Sequence, residues 1–111
     1  MALKQKEVEI QHTICEYLAF REKQRMLMFW RQNTNAMYDV SKGIHRRMPV
    51  HAKKGVPDII VIKKGQFIGL EVKSATGRQN EDQRAFELFI KENGGFYYLV
   101  RSLEDVRKIG L

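Results

Sequence analysis

Asp58, Glu71 and Lys73 interrupt a stretch that otherwise reads as a buried β-hairpin, GVPDIIVIKKGQFIGLEVKS over residues 55–74. Two runs rich in Ile, Val, Leu and Phe flank a Lys-Lys-Gly turn, as a hairpin requires. With Lys64 and Gly65 as the central turn residues, Lys63 faces Gln66 and Asp58 falls directly across from Glu71. Opposed carboxylates on adjacent strands repel each other, so folding alone gives no reason for the pair. A divalent cation does: hard oxygen ligands a few ångströms apart are what Mg²⁺ or Mn²⁺ binds. A four-residue loop would shift the opposition slightly, so the pairing depends on the register.

Side-chain alternation adds a second constraint. Ile68, Leu70 and Val72 point to one face of their strand, and Phe67, Gly69, Glu71 and Lys73 to the other. Gly69, with no side chain, is expected to leave space beside Glu71. A metal-binding acid with a lysine two residues on is a device for phosphoryl transfer. The cation polarises a phosphate and acidifies a bound water. The lysine orients that water or offsets charge growing on the phosphorane.

A third acid comes from the first helical pattern, over about residues 3–20, where Leu3, Ile10, Ile14, Tyr17 and Leu18 share a face. Glu7 falls inside this stripe, while Glu9 and Glu16 point away from it. A carboxylate on a core-facing side is costly unless paired or metal-bound. The competing reading of Glu7 is a first-turn acid favoured by the helix dipole.

These residues need elements to position them. Residues 26–33 (MLMFWRQN) read as a strand, with Met26, Met28, Phe29 and Trp30 as core residues. Residues 34–55 lack periodicity and read as a long loop. From Ser41 to Lys54 that loop holds Lys42, Arg46, Arg47, Lys53 and Lys54 and no acid. The hairpin strands span about 57–62 and 67–73. Asn80, Glu81, Asp82 and Gln83 then form a helix start, with Gln83 at the third place of a capping box. Ala85, Phe86, Phe89 and Ile90 continue that helix inward, and Gly94-Gly95 ends it. FYYLV (96–100) is a fourth strand, and Ser102 caps a last helix turning Leu103, Val106 and Ile109 inward. The order is αβ-loop-ββαβα: one α/β domain over residues 1–111, a small mixed sheet flanked by helices.

The 111 residues carry 20 Lys and Arg against 13 Asp and Glu, a formal charge of +7 that suits a polyanionic partner. Cys15 is the sole cysteine, which excludes an internal disulfide framework and a Cys-based zinc cluster. It lies beside the core stripe as a packing residue, and His12, His45 and His51 make no metal-ligand spacing. No apolar run approaches the ~20 residues of a membrane span. The N-terminal residues lack a secretory h-region, so a cytoplasmic protein is expected.

Pro57-Asp58 followed by Glu71-Val72-Lys73 resembles the PD-(D/E)XK nuclease superfamily. Glu7-Val8-Glu9-Ile10-Gln11, Trp30-Arg31-Gln32-Asn33, Gln83 and Gly94-Gly95 narrow the resemblance to the VRR-NUC (virus-type replication-repair nuclease) domain, in family order over about residues 7–107. The resemblance implies a restriction-endonuclease-like core and a Mg²⁺- or Mn²⁺-dependent DNA nuclease. It implies metal ligation by Glu7, Asp58, Glu71 and the main-chain carbonyl of Val72, with Lys73 orienting water and Gln83 as an active-site auxiliary. Gln83 also has a purely structural reading, since a capping-box residue binds the Asn80 main chain. Stand-alone members of this size, from phages and bacteria, resemble homodimeric structure-selective endonucleases such as Holliday-junction resolvases, active in DNA repair.

Arg31 and Asn33, at the end of their strand, are expected to reach the scissile phosphate. Arg46, Arg47, Lys53 and Lys54 are expected on the substrate backbone, where a solvated charge run is the alternative. Two other functions fit the same residues less fully. One is a nicking, flap-cutting or restriction-like nuclease, and the other a basic DNA-binding accessory protein without catalysis.

Overall fold

The computed structural model describes residues 6–32, 38–39, 44–45 and 49–111. Helix α1 (Glu7–Lys23) buries Ile10, Ile14 and Leu18, four apart along one face. Its first turn carries Glu7 and Glu9 and its last Arg21 and Lys23, the signs that suit the helix dipole. Arg25, at φ 61°, turns the chain into strand β1 (Met28–Arg31).

Strands β4 (Ile59–Lys63) and β5 (Gln66–Val72) form the expected hairpin. Lys64 and Gly65 both have positive φ, 51° and 78°, the two-residue turn whose twist matches that of paired strands. Lys63 lies opposite Gln66 and Ile59 opposite Leu70, so the next step along the ladder sets Asp58 across from Glu71. The register is the one the turn residues imply. Strand β6 (Phe96–Val100) runs parallel to β5, with Tyr97 beside Gly69 and Leu99 beside Glu71. A parallel pair needs a crossover, and helix α2 (Glu81–Glu92) supplies it. The mixed sheet has the order β1-β4-β5-β6, and helix α3 (Leu103–Lys108) closes the chain.

The stretch expected as a featureless loop contains a short ladder of its own. Strands β2 (Tyr38–Asp39) and β3 (Ile44–His45) pair antiparallel as a separate two-stranded sheet. Two-residue strands are too short for alternation to announce them.

The core lies between the sheet and the pair α1 and α3. Ile68, Leu70 and Val72 of β5 meet Ile14, Leu18 and Val106, with Cys15 and Tyr17 packed at the margin. Burying each such aliphatic side chain stabilises by roughly 1.5–3 kcal/mol relative to exposure. Phe29 joins this core, but Met26, Met28 and Trp30 are exposed. β1 is an edge strand, and alternation sends Met28 and Trp30 to the face away from α1.

Helix α2 covers the opposite face and buries Ile90 alone. Ala85 is exposed and Phe89 is 64% exposed, against the expectation that both turn inward. The reason lies in two glycines. A Cβ at Gly95 would stand 2.8 Å from Ile90 Cγ2, and one at Gly69 3.5 Å from Ile90 Cδ1. Ile90 thus docks where the strands carry no side chains, and the helix rests on that ridge with its neighbours rotated outward. Among the described residues no helix is long and apolar enough to cross a membrane.

Candidate active site

The site is built at the C-terminal end of β5. Glu71 is the buried charged side chain among the described residues, 2% exposed. Asp58, at the entrance to β4, comes within hydrogen-bonding reach of it. Asp58 is aimed by the neighbouring strand itself, because Val72 N–H donates to its Oδ2 at 2.8 Å. The ladder holds Asp58 from the other side, where its carbonyl accepts from Gln32 N–H at 2.8 Å.

Two acids this close cannot both stay ionised at low cost. Burial first, then the hydrogen bond and charge of Asp58, push the Glu71 carboxyl up to about 9, against the opposing pull of Lys73 and of the Tyr97 hydroxyl. At neutral pH the pair therefore retains a proton. Lys73 Nζ stands 4.0 Å from Glu71 Oε2, on the same face of β5, as alternation requires.

Gln83 serves both roles open to it. Its Oε1 accepts from Asn80 N–H and its own N–H donates to Asn80 Oδ1, both at 2.9 Å, closing the capping box. Its Nε2 donates to Glu71 Oε2 at 3.1 Å. Because the cap occupies the amide oxygen, the NH₂ group is the part left to face the acid.

Glu7 is placed differently. Its Oε1 accepts from Ser74 N–H at 3.4 Å, in the turn just after Lys73. Among the described residues no three His, Cys, Asp or Glu side chains cluster closely enough to hold a metal ion. The structure thus brings Asp58 and Glu71 together, with Lys73 and Gln83 around them, and sets Glu7 one turn away.

In kind, the donors fit a hard divalent cation: two carboxylates and the adjoining main-chain carbonyl of Val72. A cation held there would offset the negative charge of the pair that a retained proton otherwise relieves.

Gly69 does not leave the open space expected beside Glu71. A Cβ there would stand 2.6 Å from Pro57 Cγ, so the proline ring occupies that volume. Gly55, at φ 77°, packs against the main chain of Asp82 and Gln83, so closely that a Cβ would stand 2.8 Å from Gln83 N. This contact pins the segment before β4 to the start of α2 and sets where the exposed Lys53 and Lys54 leave it.

Arg31 lies on the α1 face of β1, where its Nε donates to Gln11 Oε1 at 3.0 Å. That is the face opposite the acid pair. Asn33, Arg46 and Arg47 lie outside the described residues.

Two contributors have no motif to announce them. Tyr97 OH donates to Glu71 Oε1 at 3.4 Å across the parallel pair. Arg101 Nη1 donates to the carbonyls of Ser74, at 2.5 Å, and Gly77, at 2.8 Å, bracing the turn that carries Lys73 and meets Glu7. The one available signal was a tyrosine on the α2-facing side of an apolar strand, since a buried hydroxyl needs a partner.

An acid pair at the open end of a β-hairpin, a lysine two residues on, and a helix capping beside them stand together on an α/β fold, a four-stranded mixed sheet flanked by helices. A solved structure described as a VRR_NUC domain shares the fold with a TM-score of 0.59, covering 95% of each chain at 17% identity. No family model and no curated protein matches the sequence.

Proposed function

We propose that this protein is a metal-dependent DNA endonuclease that hydrolyses phosphodiester bonds in branched or otherwise structured DNA, acting as a homodimer in the manner of a Holliday-junction resolvase. The observation that carries the reading is the buried Glu71 opposed by Asp58 across the hairpin, beside Lys73. Stability gives no account of such a pair, and phosphoryl transfer does. The likeness in fold to a VRR_NUC domain supports the same class.

In this reading Asp58, Glu71 and the Val72 carbonyl hold Mg²⁺ or Mn²⁺, and Glu7 adds its charge from the neighbouring turn. When bound, the cation supplies Lewis acidity toward a phosphate oxygen and an acidified water. Lys73 orients the attacking water and offsets charge gathering on the phosphorane. Gln83 keeps the Glu71 carboxylate in place. Lys53, Lys54, Asn33, Arg46 and Arg47 bind the phosphate backbone. Arg31, engaged with Gln11, would touch DNA only along the α1 face. Phosphate contacts carry little base information, so shape is what is recognised. Two-fold symmetry would present two such sites to opposed strands of a junction.

The test is a panel of labelled four-way junction, flap, nicked and linear duplex DNA with Mg²⁺, Mn²⁺ or EDTA. Paired cuts in the junction with either metal and none with EDTA are expected. Asp58→Asn and Lys73→Ala proteins should still bind DNA without cutting it. Cleavage restricted to flaps or nicks would replace the junction as substrate. Binding with no cleavage in any metal would leave a DNA-binding accessory protein and end the enzyme reading.

A further inference from the structure

Glu71 is gripped at both oxygens. Gln83 Nε2 donates to Oε2 at 3.1 Å, and the hydroxyl of Tyr97 donates to Oε1 at 3.4 Å. Tyr97 is itself buried, 5% exposed, on the strand that runs parallel to β5. In the register it lies beside Gly69, two residues before the acid, which puts its side chain on the same face of the sheet as Glu71.

The direction of the Tyr97 hydroxyl is also set. Gln79 Nε2 donates to it at 3.0 Å, so its oxygen accepts from one side and its proton is released toward Glu71. Gln79 is held in turn, donating to Glu87 Oε1 at 3.0 Å, and Glu87 pairs with Lys91 at 2.6 Å. A hydrogen-bonded chain thus runs from an ion pair on the outer side of α2, through Gln79 and Tyr97, to the buried acid. Only its last group touches the reacting centre.

Resting on the nuclease reading above, we infer that Tyr97, oriented by Gln79, is a positioning residue that fixes the plane of the Glu71 carboxylate for the cation. A carboxylate held at one oxygen swings about its last bond. Held at two it presents a defined edge to Asp58 and Lys73, and partners of this kind typically change metal affinity 10- to 100-fold. The packing of the Tyr97 ring, by contrast, belongs to the fold and is left intact when only the oxygen is removed.

The experiment compares parent, Tyr97→Phe and Gln79→Leu proteins. Mn²⁺ binding is measured without DNA by paramagnetic resonance, together with kcat and KM on the best-cut DNA and the thermal midpoint. Tyr97→Phe should weaken Mn²⁺ about tenfold or more and lower kcat, with KM for DNA and the fold preserved. Gln79→Leu, which keeps the hydroxyl and removes its orienting donor, should show the same pattern at a few-fold. If Tyr97→Phe does not fold, Gln79→Leu carries the test, and its binding Mn²⁺ like the parent overturns the inference. A parent that binds Mn²⁺ and cuts DNA, with a folded Tyr97→Phe indistinguishable from it, overturns this inference and leaves the nuclease reading standing. A parent that neither binds nor cuts overturns both.

Discussion

Glu71 is where function and stability pull against each other. Its carboxyl is pushed up to about 9 by burial and by Asp58, whereas in the unfolded chain it titrates near 4.5. The folded protein therefore binds this proton more tightly than the unfolded one. The resulting stability is fully present below about pH 4.5 and drains away as pH rises toward 9. Without metal, the unfolding free energy should fall between pH 5 and pH 9, by at most about 1.4 kcal/mol per pH unit for one proton. Mn²⁺ should flatten that fall, and Glu71→Gln, which cannot titrate, should abolish it. An identical pH profile for Glu71→Gln and parent would remove Glu71 as the responsible group. In activity, Asp58→Asn and Glu71→Gln should each lower Mg²⁺-dependent cleavage by ~10²-fold or more, read on labelled junctions. Both acids and Lys73 were legible from the hairpin alone, because β-alternation and turn geometry are local rules. Tyr97 and Arg101 were not, since their contacts reach across 26 and up to 27 residues of intervening chain.

At the scale of elements, three close approaches hold the site's scaffold. The capping box at Asn80 starts α2 and turns the Gln83 amide toward Glu71. Asn80→Ala should cost about 1 kcal/mol in denaturant unfolding. It should also reduce cleavage, because Gln83 loses the group that orients it; unaltered cleavage would confine Gln83 to capping. Gly94, at φ 81°, ends the helix, with Gly95 N–H donating to the Ile90 carbonyl at 2.9 Å. Gly69 meets Pro57, and Gly69→Ala should destabilise by roughly 1–3 kcal/mol through that overlap. The sequence announced both helix ends and the hairpin turn through residues with a strong local preference. It put Ala85 and Phe89 on the buried side of α2, because both have the right period for a core face. Which face a helix presents depends on what lies beneath it, and here two glycines admit Ile90, which was expected inward and is buried. The edge strand β1 misled for a related reason: apolar composition says that residues want burial, and not whether a neighbour covers them.

For the whole molecule, the excess of 20 basic over 13 acidic side chains predicts salt-sensitive DNA binding. Lys53→Ala with Lys54→Ala should weaken binding and reduce the magnitude of the log–log salt slope by about 2 if each neutralises a phosphate. A slope equal to the parent's would make both lysines bystanders. A dimer should appear by light scattering at micromolar concentration; full junction cleavage by a monomer would remove the symmetric arrangement. By itself, the sequence determined what short-range rules can encode: strand faces, caps, turns, the register that opposes Asp58 to Glu71, and a resemblance borne out in the fold. Only the tertiary structure decided which distant groups meet. It joined Asp58 and Glu71 under Gln83 and Tyr97, set Glu7 against Ser74, and turned Arg31 to the α1 face. The physical reason is that periodicity specifies the direction of a side chain on its own element. Contact between elements is decided by how closely backbones approach, and in this protein that distance is set by glycines and a proline at the crossings.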